Sequence, residues 1–199
     1  MARRKKPMTV TKELRAQIRA QREPFTDVDG RLVPGSIPFL RGLIEAEKDP
    51  LDRDSLLGEL SGEYLRADLY DEHLLVQRER VANHPEAAVM WLGLAHSLGM
   101  KRDRADEAKQ AVAKGLEISR HTGTLIRYSL TCQAAVARQT NDPALFESSL
   151  RELIEDAENC REEDSGLDAH ILIDLPIGFC PPDLEAKYRN LLEQEDRSS

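Results

Sequence analysis

Bulky apolar residues recur along the middle of the chain at a fixed interval of 34 residues, which separates Leu57, Trp91 and Leu125. After each of them, an apolar residue stands three positions on, a small residue four positions on and an apolar residue seven positions on. The members of these three sets are Leu60, Leu94 and Tyr128, then Ser61, Ala95 and Ser129, then Tyr64, Leu98 and Cys132. This spacing is typical of one face of an amphipathic helix, so the chain is predicted to repeat the same helix three times.

A second helical segment follows each repeated helix. We predict first helices at about 56–68, 86–99 and 123–139 and second helices at about 71–83, 104–119 and 142–159. Asp142 before Pro143 combines an N-cap residue with the residue preferred at the first helical position. Three helix pairs of this kind predict an all-α fold.

The central pair resembles a tetratricopeptide repeat. Trp91, Leu94 and Ala95 stand where that family has a bulky residue, Leu and a small residue on its first helix. The second helix matches at Ala108, Val112, Gly115 and Leu116, although Ala108 comes one position late and the family prefers an aromatic residue in place of Val112. The other two pairs match mainly on their first helices. The resemblance implies a short right-handed α-α superhelix of about three helix pairs over residues 53–158. An ordinary α-helical bundle with a chance period is the alternative.

Segments on both sides of the repeats are expected to cap them. Ser36 can cap one helix and Asp183 another, while Asp29-Gly30 indicates a small hairpin. Residues 166–182 are too apolar for a free linker, and Pro176 and Gly178 prevent a continuous helix, so we predict an irregular strap that packs on the helices. The predicted organisation is therefore a basic arm, hairpin and capping helix at 1–48, repeats at 49–160, and an acidic linker, strap and C-terminal helix at 161–199.

The charge of the chain is divided unevenly. The formal net charge is −8, yet residues 1–22 contain eight basic residues and one acidic residue, which leaves −15 for the remainder. Clustered Lys and Arg can bind phosphates by releasing counterions, which makes the arm a candidate polyanion-binding segment. The candidate residues are Arg3, Arg4, Lys5, Lys6, Arg15, Arg19 and Arg22. No aromatic residue interleaves with these bases, which favours the alternative of a solvated tail or of an arm that lies against the chain's own acidic surface.

Sequence patterns for catalysis are sparse. The chain lacks the phosphate-binding P-loop, the dinucleotide fingerprint, the zinc-protease motif and the serine-hydrolase motif. Its three cysteines have no paired spacing, so we predict neither a zinc site nor a disulfide framework, and no cofactor. Only His170, Asp174 and Cys180 could supply a nucleophile and its base. We therefore predict a protein that is not an enzyme, with catalysis through His170 and Cys180 as the alternative.

The family resemblance places partner binding on the concave face of the superhelix. The residues that it implies there are Arg66, Leu92, His96, Met100, Arg127 and Leu130. This face would be apolar and poor in charge, which favours an apolar peptide or helix of another protein as the guest. The chain's own N-terminal helix or strap could fill the groove instead. The pattern makes no prediction of the oligomeric state.

The expected function is protein binding, as an adaptor, a chaperone-like protein or an assembly factor. A ribonucleoprotein-associated factor that binds nucleic acid through the basic arm is the alternative. No apolar run is long enough to cross a bilayer, and no apolar segment follows the basic start as it would in a signal peptide. The sequence therefore predicts a cytoplasmic protein without a membrane partner.

Overall fold

The computed structural model describes residues 11–26, 32–159 and 167–198. These ranges are helical apart from loops and one pair of three-residue strands, which confirms the all-α class. The helices are α1 (Lys12–Ala20), α2 (Ser36–Ala46), α3 (Pro50–Arg66), α4 (Tyr70–Asn83), α5 (Ala88–Gly99), α6 (Ala105–Thr122), α7 (Ile126–Gln139), α8 (Pro143–Asn159) and α9 (Pro182–Ser198). Short 3₁₀ turns cover Arg102–Arg104 and Ala169–Leu172. Strands β1 (Pro24–Thr26) and β2 (Leu32–Pro34) pair antiparallel, with Phe25 opposite Val33.

Local sequence signals account for several helix ends. Asp142 Oδ1 accepts a hydrogen bond from the backbone N–H of Leu145 at 3.0 Å, and α8 begins at Pro143, as predicted. Asp49 caps α3 in the same way. The expected cap of α2 is corrected, because Ser36 is itself the first helical residue and its hydroxyl donates to Glu63 Oε2 at 2.7 Å. A buried tertiary partner therefore takes the place of the local cap.

The chain divides into two compact units, Met1–Asn83 and His84–Ser199. In unit 1, α2 packs against α1 and α3, and α3 packs against α4. One hydrophobic cluster joins these helices. Its buried members are Ile18, Ile37, Leu40, Ile44, Leu56, Leu57, Leu60, Tyr64 and Val76.

In unit 2, α5 packs against α6 and α7, α7 against α8, and α8 against α9. The buried members of its cluster are Leu116, Leu130, Ala134, Ala137, Phe146, Leu150, Leu153, Ile154, Ile171, Leu172, Phe179, Cys180, Leu184 and Tyr188. Trp91 is half-buried, and its indole N–H donates to the carbonyl oxygen of Pro85 at 2.8 Å. The division between the units falls inside the predicted repeat segment 49–160.

The third predicted repeat departs from the 34-residue register. Helices α3, α5 and α7 end at Arg66, Gly99 and Gln139, which are intervals of 33 and 40 residues. Leu125 lies before α7 in the left-handed backbone conformation, with φ of 59°, and both Leu125 and Tyr128 are exposed. The core-facing residues of α7 include Leu130, Ala134 and Ala137. The predicted apolar face of this helix is therefore corrected at Leu125 and Tyr128, because α7 starts later than the pattern implied, whereas Ser129 is buried as predicted.

The C-terminal strap is irregular, and it is buried only in part. Ile171 and Leu172 enter the core of unit 2, as do Phe179 and Cys180. Between them Ile173 and Ile177 point to solvent, so the expectation that all the apolar residues of the strap are buried is corrected. The guanidinium of Arg138 donates from Nη1 to the carbonyl oxygens of His170 at 2.8 Å and Ile173 at 2.9 Å. This side chain therefore fixes the exposed turn onto α7.

Candidate protein-binding groove

Three of the residues predicted for a concave binding face are in the interior. Leu92 and Leu130 are 1% and 2% exposed, and Arg127 is 4% exposed. Arg127 Nε contacts Asp156 Oδ2 at 2.9 Å, so the charge of the guanidinium is compensated inside the unit. The prediction is corrected for these three side chains, because a buried side chain cannot line an open groove.

The other three predicted residues, Arg66, His96 and Met100, are at least partly exposed. Arg66 Nε and Nη2 donate to Glu63 Oε1 on the same helix, at 3.1 and 2.5 Å. His96 and Met100 face solvent at the end of α5, and His96 Nδ1 lies 3.4 Å from Gln139 Nε2. Arg66 belongs to unit 1, whereas His96 and Met100 belong to unit 2. Their role in partner binding stays a prediction.

A groove of about 420 Å³ lies within unit 1, between α2, α3 and α4. Its floor is apolar and comes from all three helices. The floor residues are Ile44, Leu57, Leu60 and Val76. Leu75 lines the same groove with 65% of its surface exposed, so an accessible apolar side chain stands beside the apolar floor. The groove therefore offers apolar surface on rigid helices.

Charged side chains surround this apolar floor. Two arginines, Arg41 and Arg53, and three glutamates, Glu45, Glu72 and Glu79, line the groove. Arg41 Nε donates to the hydroxyl of Tyr64 at 2.8 Å, and its guanidinium carbon lies 5.6 Å from the centre of that ring. Arg53 Nη2 contacts Glu79 Oε1 at 3.0 Å. Polar edges around an apolar centre resemble the anatomy of protein interfaces.

Sequence reasoning missed this groove, although one signal was present. Leu74, Leu75 and Val76 are consecutive apolar residues on α4. Successive residues on a helix point about 100° apart, so three in a row cannot all face the same core. Leu74 and Val76 are buried, and Leu75 is the residue left outside.

The described part of the basic arm lies against the acidic surface of α3. Arg15 Nε contacts Glu59 Oε1 at 3.2 Å, and Arg22 Nη2 contacts Glu63 Oε1 at 2.6 Å. Arg19 is exposed. This geometry agrees with an arm that is neutralised by the chain's own carboxylates. Arg3, Arg4, Lys5 and Lys6 lie outside the described residues, and polyanion binding stays a prediction.

The candidate nucleophile Cys180 has an unfavourable environment for catalysis. Its side chain is buried, and Sγ donates to the carbonyl oxygen of Pro181 at 3.5 Å. Burial raises the pKa of the Cys180 thiol to about 11, whereas reactive cysteines have a lowered pKa. His170 and Asp174 both face solvent. The geometry therefore gives no support to the enzymatic alternative.

Metal-binding and membrane-spanning features do not add a second candidate site. Among the described residues, no group of His, Cys, Asp or Glu side chains is arranged to hold a metal ion. No described helix combines the length and apolar character that crossing a bilayer requires. Comparison with protein-family models, curated proteins and solved structures finds no match for this chain. The resemblance to the tetratricopeptide repeat therefore stays a prediction, and the geometry of the groove is what guides the functional proposal.

Proposed function

We propose that the protein is a non-enzymatic interaction module that binds an apolar segment of another protein in the groove between α2, α3 and α4. The observation that carries the proposal is the exposure of Leu75 beside the apolar floor of that groove. Full burial of one leucine side chain contributes about 1.5–3 kcal/mol, so covering Leu75 is a sizeable share of the free energy of a micromolar complex. As an adaptor, chaperone-like protein or assembly factor, the protein would act in the cytoplasm.

Packing within unit 2 supports the TPR-like part of the proposal, a stack of helix pairs in that unit, whereas the groove itself belongs to unit 1. Helix α5 contacts both its partner α6 and the next helix α7, and α7 in turn contacts α8. Stacked helix pairs show this order of contacts, in which each first helix packs on its own partner and on the next pair. Rigid helices on which binding residues are mounted lose little conformational entropy when a guest binds.

A crosslinking experiment tests the groove. A photoreactive amino acid at position 75 should crosslink to a discrete partner in native cell extract, and mass spectrometry would identify that partner. The matched control is position 51, because Leu51 is similarly exposed at 52% but does not line the groove. The purified partner should then bind the Leu51→Glu variant with wild-type affinity and the Leu75→Glu variant at least tenfold more weakly. Equal affinities for the two variants would place the binding site elsewhere.

A further inference from the structure

Very little apolar surface holds helix α1 against the rest of unit 1. Ile18 is its one buried residue, and Leu14 is half-buried against the same hydrophobic cluster. The remaining residues of the helix are exposed. A nine-residue helix is only marginally stable in water, so α1 depends on the surface beneath it for its structure.

The surface beneath α1 adds two carboxylates in a row to this apolar contact. Glu59 and Glu63 stand one helical turn apart on α3. Arg15 Nε donates a hydrogen bond to Glu59 Oε1. Both carboxylate oxygens of Glu63 lie 3.1 Å from Arg22 Nε. The surface therefore matches a short helix with two apolar residues four positions apart and a base directly after the first, followed by a second base two residues beyond the end of the helix.

If α1 left its surface, the buried carboxylate of Glu63 would still have hydrogen-bond partners. Glu63 is fully buried, and a buried carboxylate without a partner is strongly destabilising. However, Glu63 also accepts hydrogen bonds from Arg66 on its own helix and from the hydroxyl of Ser36. These two partners remain when Arg22 leaves. The cost of exchanging α1 for another helix is limited for this reason.

We propose that the surface under α1 is a binding site for a basic amphipathic helix of another protein, and that α1 occupies this site as a replaceable ligand in cis. The spacing of Leu14, Arg15 and Ile18 on the helix, with Arg22 just beyond its end, is the pattern that such a partner would carry. A tethered ligand acts at an effective concentration in the millimolar range, so α1 excludes weak competitors. A partner helix that buries more apolar surface than α1 would displace it.

The test uses the full-length chain with α1 disrupted and the surface intact. Gln17 is exposed on α1, and proline at this position costs a helix about 3 kcal/mol, so Gln17→Pro should release the arm. Gln17→Ala is the matched control, because alanine preserves the helix. The probe is a fluorescent peptide of residues 11–23, with a scrambled peptide of equal composition and charge. We expect Gln17→Pro to bind the probe at least tenfold more tightly than Gln17→Ala, and the scrambled peptide to bind neither.

Three results would overturn the proposal. Equal affinity of both variants for the probe would show that α1 does not cover a site. Equal affinity of Gln17→Pro for the probe and the scrambled peptide would show attraction to an acidic surface without a defined site. A gain in affinity for a single-stranded oligonucleotide, without a gain for the peptide, would assign the released arm to polyanion binding instead.

A second measurement on the wild-type chain covers the case in which Gln17→Pro fails to fold. Saturating peptide should accelerate hydrogen exchange of the α1 amides, because α1 frays once it leaves its surface. The amides of α3 should stay protected, since the peptide replaces α1 there. Unchanged exchange of α1 with the peptide bound would overturn the proposal.

Discussion

Glu63 is the residue on which the polar interior of unit 1 depends. Burial alone would raise the pKa of its carboxyl group, but the hydrogen bonds from Arg22, Ser36 and Arg66 outweigh burial and lower the pKa from 4.5 to about 2. Because the folded-state pKa lies below the unfolded-state value, Glu63 contributes stability above about pH 4.5. That contribution is lost as the pH falls towards about 2.

The Glu63→Gln variant should therefore lose this part of the pH dependence. Each unit of pKa difference corresponds to about 1.4 kcal/mol, so the wild-type free energy of unfolding should fall by about 3 kcal/mol more than that of the variant between about pH 5 and pH 2. Urea denaturation across this range measures the difference. Identical slopes for Glu63→Gln and the wild type would contradict the assignment.

Gly115 lies where α6 packs tightly against Leu92 of α5. A Cβ atom at this position would lie 2.7 Å from Leu92 Cδ2 and 2.9 Å from Leu92 Cγ, and Leu92 is buried and cannot move aside. Alanine gains about 1 kcal/mol of helix propensity over glycine, whereas overpacking costs about 1–3 kcal/mol. We expect Gly115→Ala to lower the free energy of unfolding by about 1 kcal/mol in chemical denaturation.

Gly42 provides the opposite case for comparison. It lies in α2, and no atom beyond its own stretch of helix comes within 4 Å of the place that a Cβ atom would take. Gly42→Ala should therefore raise the free energy of unfolding by about 0.5–1 kcal/mol, because only the gain in helix propensity applies. Stabilisation by both substitutions would show that α5 and α6 are less closely packed around Gly115 than the structure indicates.

At the scale of elements, the sequence located most helices and the buried faces of α3 and α5, but not the whole buried face of α7. Helix α7 shows why. Leu125, Tyr128 and Cys132 fit one apolar face, while Ile126, Leu130, Ala134 and Ala137 fit another. Periodicity ranks neither face above the other, and packing against α6 and α8 buries the second face together with Ser129 and Val136 from the side of the first. Arg127 was misplaced for the same reason, because its partner Asp156 is 29 residues away on α8.

The strap is the element whose role in stability can be tested most directly. Phe179 is buried with its ring centre 5.3 Å from that of Phe146, whereas Ile177 on the same turn is fully exposed. Phe179→Ala should lower the free energy of unfolding by about 3–5 kcal/mol, measured by chemical denaturation followed by circular dichroism. Ile177→Ala is the control and should change it by less than about 0.5 kcal/mol. Equal effects would mean that the strap is not part of the core.

At the scale of the whole molecule, the all-α class followed from periodicity, while the two hydrophobic clusters did not. The 34-residue interval suggested one continuous series of repeats, yet the structure has two separate hydrophobic clusters, one in each unit. The groove was also missed, since its floor combines residues from three successive helices, and the pattern of each helix does not specify how the three pack together. The period of a sequence pattern indicates which residues share one face of a single helix. Hydrophobic clusters and grooves depend instead on how the faces of several helices pack together.

Truncation of one core leucine in each unit should show which helices each hydrophobic cluster stabilises. Leu40 in unit 1 and Leu150 in unit 2 are both completely buried, and replacing either by alanine should cost about 2–5 kcal/mol. Hydrogen exchange should reveal the lost protection in α2, α3 and α4 for Leu40→Ala, and in α7, α8 and α9 for Leu150→Ala. The same pattern of loss for both variants would contradict the assignment of the two leucines to separate clusters.

The hydrogen bond from Trp91 to Pro85 gives unit 2 its own spectroscopic signal. The chain contains one tryptophan, and its half-buried indole is fixed to a backbone carbonyl at the beginning of α5. Fluorescence excited at a wavelength that indole absorbs and phenol does not therefore comes from unit 2 alone. The tyrosines of unit 1, Tyr64 and Tyr70, do not contribute to it. The emission maximum should move to longer wavelength as Pro85 separates from α5, which makes the onset of unfolding visible in the native chain without any added label.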